Sequence, residues 1–277
     1  LPSIRIDLGP QDVLIGTEQF RHRNLLETDT FNAYFAGNYY LGDHDIKFGL
    51  DYEENSIFNL FGRDINGVYT FNSIDNFEIG QPSFYSFRRA SNGNLNSIAA
   101  DWTLENLGLF IQDTWSVTYN LNLMFGIRVD TPIVDDKPVA NSGALAAFGY
   151  DNTQTIDGNE LIQPRFGFNY TFDSERPTQL RGGIGLFQGD APQVWVGNSY
   201  NTTGLNYVSY NYQAYDPTVP FGPDGLNPTV PSGPGSLPTM NVNLVAKDFE
   251  LPSSWKANLA IDHELPWYGL VASAELL

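Results

Sequence analysis

The sequence predicts an all-β chain, an antiparallel up-and-down meander that forms part of a transmembrane β-barrel with long extracellular loops. Three observations predict it. Apolar residues recur at every second position through about eight segments of membrane-crossing length. Short turns and long connections alternate between these segments, and Tyr and Trp gather beside the turns.

The first alternating segment is 30–41. Phe31, Ala33, Phe35, Tyr39 and Leu41 share one face, and Asn32, Ala36, Asn38 and Tyr40 share the other. After the two-residue turn signal Gly42-Asp43, residues 44–53 set Ile46, Phe48, Leu50 and Tyr52 opposite Lys47, Gly49, Asp51 and Glu53, which predicts an antiparallel hairpin. A polar and aromatic connection over 55–105 follows, with a short strand expected at 68–71. Alternation resumes at Leu107, Leu109, Ile111, Asp113, Trp115 and Val117 and turns through Thr118-Tyr119-Asn120. It returns in Leu121, Leu123, Phe125, Ile127 and Val129, opposite Asn122, Met124, Gly126, Arg128 and Asp130.

Beyond a connection over 131–161, Phe166, Phe168, Tyr170 and Phe172 oppose Arg165, Gly167, Asn169 and Thr171. The chain turns at 173–177, and Ile184 and Leu186 continue the apolar face through 180–188. The connection over 189–251 is rich in Pro, Gly, Asn and Tyr and reads as a loop. In the last hairpin Trp255, Ala257, Leu259 and Ile261 oppose Lys256, Asn258, Ala260 and Asp262. Leu270, Ala272, Ala274 and Leu276 follow the turn Leu265-Pro266-Trp267-Tyr268-Gly269.

Irregular connections of such length are uncommon in compact soluble domains, whose median is about 4 to 6 residues, whereas outer-membrane barrels join short turns at one end with long loops at the other. Parity sends the three long connections to one end, expected to face the cell exterior, and the four short turns to the opposite end. Tyr39, Tyr40, Trp115, Tyr119, Tyr170, Trp255, Trp267 and Tyr268 suit two interfacial girdles.

Charge narrows the partners. The 277 residues include 32 acidic and 14 basic ones, a formal net charge of −18, which excludes a phosphate-backbone partner and so a nucleic-acid function. Without cysteine there is no disulfide framework or thiolate metal site. No apolar run reaches the length of a membrane helix, and a mean hydropathy of −0.26 is compatible with strands that present only every second residue to lipid. Leu1-Pro2-Ser3-Ile4 lacks the features of a signal peptide.

Enzyme signatures are not found. Gly183, Gly185 and Gly189 miss the dinucleotide-loop spacing, and Gly197-Asn198-Ser199-Tyr200-Asn201 misses the nucleophile elbow. His22, His44 and His263 stand apart, without zinc spacing, and 151–160 does not follow an EF-hand. The expectation is a chain that is not an enzyme and holds no cofactor or metal. Acidic pairs such as Glu53-Glu54 and Asp135-Asp136 read first as solvated charge.

The run Gly108-Leu109-Phe110-Ile111-Gln112-Asp113-Thr114-Trp115, followed by Leu121-Asn122-Leu123-Met124-Phe125-Gly126-Ile127-Arg128-Val129-Asp130, resembles a strand pair of TonB-dependent receptor barrels. The Oar-like branch is the nearest likeness, through Phe20-Arg21-His22-Arg23-Asn24, Gln163 to Tyr170, Leu180 to Phe187, Trp195 to Tyr200 and Trp255 to Asp262. The resemblance implies a Gram-negative outer-membrane location and a barrel of about 22 strands. It also implies a plug domain in the same full-length chain, TonB reached indirectly, and uptake of a scarce solute. On it, 1–277 is a fragment of a single β-barrel domain, with plug and signal peptide absent.

Opposite the apolar face, Lys47, Asp51, Arg128, Asp130, Arg165, Asn169, Arg181 and Lys256 are the candidates to face the barrel lumen, with lipid on the apolar side. In the long loop, Trp195, Tyr207, Tyr210, Tyr212 and Tyr215 are candidates to contact a solute, with loop self-packing as the plainer alternative. A soluble all-β carbohydrate-binding or adhesion module competes with the barrel reading. It would stay in buffer without detergent.

Overall fold

The computed structural model describes residues 1–236 and 241–277; residues 237–240, within the connection expected over 189–251, lie outside the described residues. In chain order the elements are β1 (Ser3–Asp7), β2 (Asp12–Gly16), β3 (Arg23–Leu41), β4 (His44–Gly62), β5 (Val68–Phe71), α1 (Ile74–Glu78), β6 (Phe84–Ala90) and β7 (Ala100–Thr118). There follow β8 (Leu121–Ile133), α2 (Ser142–Phe148), β9 (Leu161–Thr171), β10 (Thr178–Gln188), α3 (Gln193–Asn201), β11 (Tyr207–Tyr212), β12 (Ser253–Glu264) and β13 (Val271–Leu276).

Eight strands form one antiparallel sheet in the order β13-β12-β10-β9-β8-β7-β4-β3, a meander in which every neighbour in space is the next wall strand in sequence. Directly opposed residues of antiparallel strands point to the same side. The register runs from Phe48 to Ile111, from Ile111 to Ile127, from Phe125 to Phe166, from Phe166 to Ile184 and from Ile184 to Ala257. One face is therefore continuously apolar, and it is not covered by any element: Phe35 is 62% exposed and Ile111 51%. At the tight turn between β3 and β4, Gly42 takes φ +59, a left-handed conformation that costs a Cβ-bearing residue free energy.

The wall strands run further than the alternation suggests. β4 continues to Gly62, β3 begins at Arg23 and β7 begins at Ala100, so each has 19 residues, about 60 Å at a strand's rise and roughly twice the hydrocarbon thickness of a bilayer. Residues 55–62 and 100–106, expected to be loop, are thus strand. Ile57, Ala100, Trp102 and Leu104 share the face turned to the cap and are buried, while Asp101 on the opposite face is exposed.

The long connections, expected as loops, fold together with the N-terminal β1 and β2 into a cap; the connection over 189–251 carries α3 and β11 and is otherwise irregular among its described residues. The cap sheet, ordered β11-β6-β5-β1-β2, contains the short strand expected at 68–71 and one parallel pair, β1 with β5, outside the meander pattern. Its core is aromatic, with Tyr69 and Phe71 fully buried and Tyr69 stacked on Tyr85 at 4.4 Å. Burial pushes the Tyr85 phenol above its ordinary range. A second core fastens cap to wall: Ile57, Trp102 and Leu104 meet Val134, Ile156, Val196, Tyr200 and Leu251, and Trp102 stacks on Tyr200 at 5.4 Å. Two long connections contribute to it, and the third, between β4 and β7, joins them through the pairing of β6 with β11, which places all three at one end of the sheet.

Candidate functional site

The eight charged or polar candidates Lys47, Asp51, Arg128, Asp130, Arg165, Asn169, Arg181 and Lys256 all lie on the face opposite the apolar one. Asp51 opposes Gly108, which opposes Asp130; Arg128 opposes Gln163; Arg165 opposes Gly126 and Gly185; Asn169 opposes Arg181; Lys47 opposes Gln112; Lys256 opposes Gly185. The structure sorts them into three groups.

The first centres on Arg128. Its Nη1 and Nη2 donate to the two carboxylate oxygens of Asp51, each at 2.7 Å, while Nε and Nη2 donate to Asp130 at 2.6 Å. Two-pronged pairs of this geometry are the strongest ion pairs a protein makes. Asp130 also accepts from Asn106 Nδ2 at 3.1 Å and from Gln163 Nε2, and Gln163 Oε1 in turn accepts the Gln188 N–H at 2.9 Å. Arg128 reaches Asp51 by crossing β7 at Gly108. A Cβ at Gly108 would collide with the Arg128 guanidinium and the Asp51 carboxylate, so the glycine is what lets the pair form.

The second group is Arg165, Phe187 and Lys256. The Arg165 guanidinium lies over the Phe187 ring at 4.7 Å and the Lys256 Nζ is 5.7 Å from the same ring. Gly185 leaves the room: a Cβ there would crowd the Phe187 ring at 3.0 Å and Arg165 Cγ at 3.2 Å. The third group is nearer the short turns, where Arg181 Nε donates to Asp262 at 3.0 Å and Gln179 Nε2 donates to Asn169 at 2.6 Å. For Lys47 no ion pair is formed among the described residues.

Between the first two groups and the wall–cap core is a groove of about 510 Å³, lined by Tyr34, Asp51, Arg128, Gln163, Arg165 and Phe187 among others. Sequence reasoning missed Asn106, Gln163, Phe187 and Asp262 as members of these networks. Parity alone could have found Asn106 and Gln163, which fall on the face of Arg128. Phe187 was hidden because an aromatic residue on a polar face reads as an exception until its cations are seen.

The aromatic candidates of the long loop separate. Trp195 is 77% exposed on α3 and Tyr215 is 41% exposed. Tyr210 is 5% exposed in the cap core and its hydroxyl donates to Gly233 O at 3.0 Å, so it is closed to a solute and this expectation is corrected. Tyr207 is engaged by Arg88 from β6, whose Nη1 donates to its hydroxyl at 3.3 Å, and Tyr212 packs against the cap core. Self-packing occupies the β11 tyrosines because they sit in a paired strand.

One polar exception on the outer face is Asp113, which faces His44 at 2.7 Å beside the stacked Trp115. It lies at the short-turn end, where Tyr39, Tyr40, Trp115, Tyr119, Trp267 and Tyr268 are all exposed, whereas exposed Trp255 begins β12 at the cap end. The cluster at the short-turn end suits an interfacial girdle of a bilayer.

Among solved structures the Copper transporter OprC is similar, with a TM-score of 0.44 and 15% sequence identity over 90% of this chain and 30% of that one. The present chain thus spans about 30% of the length of that protein. Among curated proteins none matches. The family model described as outer membrane beta barrel domain matches residues 1–274. With nearly its whole length matched, this chain belongs to the outer membrane beta barrel domain family, and its place is the outer membrane.

Proposed function

We propose that the chain is a wall segment of a TonB-dependent receptor of the Oar-like kind, in a Gram-negative outer membrane, which takes up a scarce solute and catalyses no reaction. The observation that carries this reading is the two-sided wall: one uncovered apolar face for lipid, and one face of charged and polar side chains, in part ion-paired, that borders a groove. The strand pair whose sequence resembles TonB-dependent receptors is the β7–β8 hairpin, and it supplies both Arg128 and Gly108. On this reading the polar face meets the plug domain of the same full-length chain, and TonB acts through that plug. The cap lies outside the cell.

The test is electrical. Full-length protein in a planar bilayer should conduct little, and deletion of its plug should open a large, stable ion conductance. A plug-deleted barrel that still conducts nothing would overturn the reading, as would a full-length chain that remains monomeric in buffer without detergent.

A further inference from the structure

Arg165 differs from every other arginine of the wall face. Arg128 is bound by two carboxylates and Arg181 by Asp262, whereas Arg165 has no carboxylate within ion-pairing distance among the described residues. Its Nε is shut off from solvent with no acceptor among the described residues. Buried donors are paired in the great majority of cases, and one left without an acceptor is costly. The cost is partly offset by the Phe187 ring beneath the guanidinium, which leaves the guanidinium edge free to donate.

That edge borders two cavities, the groove of about 510 Å³ and a smaller one of about 220 Å³ that it shares with Lys47 and Gln112. The larger volume lies within the range of small-molecule sites. Its other charges limit what can enter. Asp51 and Asp130 are committed to Arg128, but Glu53 and Asp190 also line the groove and would repel a ligand of high negative charge.

We propose that Arg165 anchors an oxyanion subsite on the wall, taking a single carboxylate or phosphate group of an otherwise polar solute. Lys256 and Lys47 add attraction, Phe187 holds the guanidinium plane in place, and the Nη groups, which unlike Nε are not shut off from solvent, are the donors that take the solute. This rests on the reading of the polar face as a solute path.

The experiment uses the full-length chain in detergent with ¹⁵N-labelled arginine, titrated with inorganic phosphate and, in parallel, with acetate. The Arg165 Nε–H resonance is assigned as the one absent in Arg165→Lys. Should that variant not fold, Phe187→Leu assigns it by moving the resonance without removing it. The expected result is a saturable shift of the Arg165 resonance with the Arg128 resonance fixed, and an affinity for phosphate at least about tenfold weaker in Arg165→Gln. A resonance that does not respond to either probe overturns the proposal. So does one already in an ion-paired position without any probe, which would identify an acidic side chain from elsewhere in the chain as its partner. Neither outcome touches the plug-deletion conductance, so failure of the subsite and failure of the transport reading are distinguishable.

Discussion

Asp51 and Arg128 are 77 positions apart, yet the guanidinium meets the carboxylate end-on through Nη1 and Nη2, with both contacts at 2.7 Å. Strand β7 runs between them, and Gly108 is the residue over which they meet. On the far side Asp130, with only 3% of its side chain exposed, takes the remaining donors. Removing the cation would leave this buried carboxylate with only the neutral donors Asn106 and Gln163 and no countercharge. Arg128→Met is therefore expected to destabilise the full-length barrel by about 3 kcal/mol, with Asp51→Asn costing less because Asp51 is one-third exposed. Urea unfolding in detergent measures both; equal stability of Arg128→Met and the parent would show that the cluster is not structural.

Gly108→Ala acts on the same pair from the other direction. The added methyl group occupies the space of the guanidinium, and overpacking of this kind costs about 1 to 3 kcal/mol. Because both changes break one interaction, Gly108→Ala on top of Arg128→Met should add little further loss. Fully additive losses would mean that the glycine serves some purpose other than passage of the arginine.

Ile111 and Gln112 are adjacent in β7 and face opposite sides. Ile111→Arg should cost about 2 to 4 kcal/mol if the position lies near the bilayer midplane, and Phe168→Arg on the same face should behave alike, whereas Gln112→Arg should be nearly neutral. Folding yields into lipid vesicles report the difference. A reversed order would assign the faces the other way.

His22 is buried where the chain enters β3. The Asn66 N–H donates to its Nδ1 at 3.1 Å, which requires a neutral ring carrying its proton on Nε2, 3.2 Å from Thr17 O. Burial pushes the imidazole below its ordinary 6.5, while the Thr17 carbonyl and Asp64 pull upward. The unfolded chain thus binds this proton at higher pH than the folded one. The stability His22 provides is complete above about pH 6.5 and declines as pH falls through that value toward the folded pKa. His22→Gln should flatten the decline between about pH 7 and 5; an unchanged slope would assign it to another group.

Protease added to intact cells bearing the full-length receptor should cut in the connection between β11 and β12, near Leu226, which is 80% exposed. The short turns, including the fully exposed Tyr268, should be spared from outside. Cleavage at the short turns alone would reverse the proposed orientation.

The wall was legible in the sequence because a strand's two faces are written locally. Period two in 44–53 or 121–130 fixes which residues share a side, and parity along a meander then sets long and short connections at opposite ends. The site candidates were legible to the same extent, as a set on one face. Only the tertiary structure decided their partners. Register brings Asp51, Gly108 and Asp130 into one row so that Arg128 is satisfied twice, while Arg165, with a similar strand environment, meets a ring instead of an acid. The cap was hidden for a related reason. β5 and β6 are short, and the parallel pairing of β1 with β5 joins residues some 65 positions apart, as in Ser3 opposite Val68. Alternation reports which side a residue takes, but what waits on that side is set by non-local pairing, and a tyrosine such as Tyr210 faces a core or a solute according to a neighbour that its own strand does not encode.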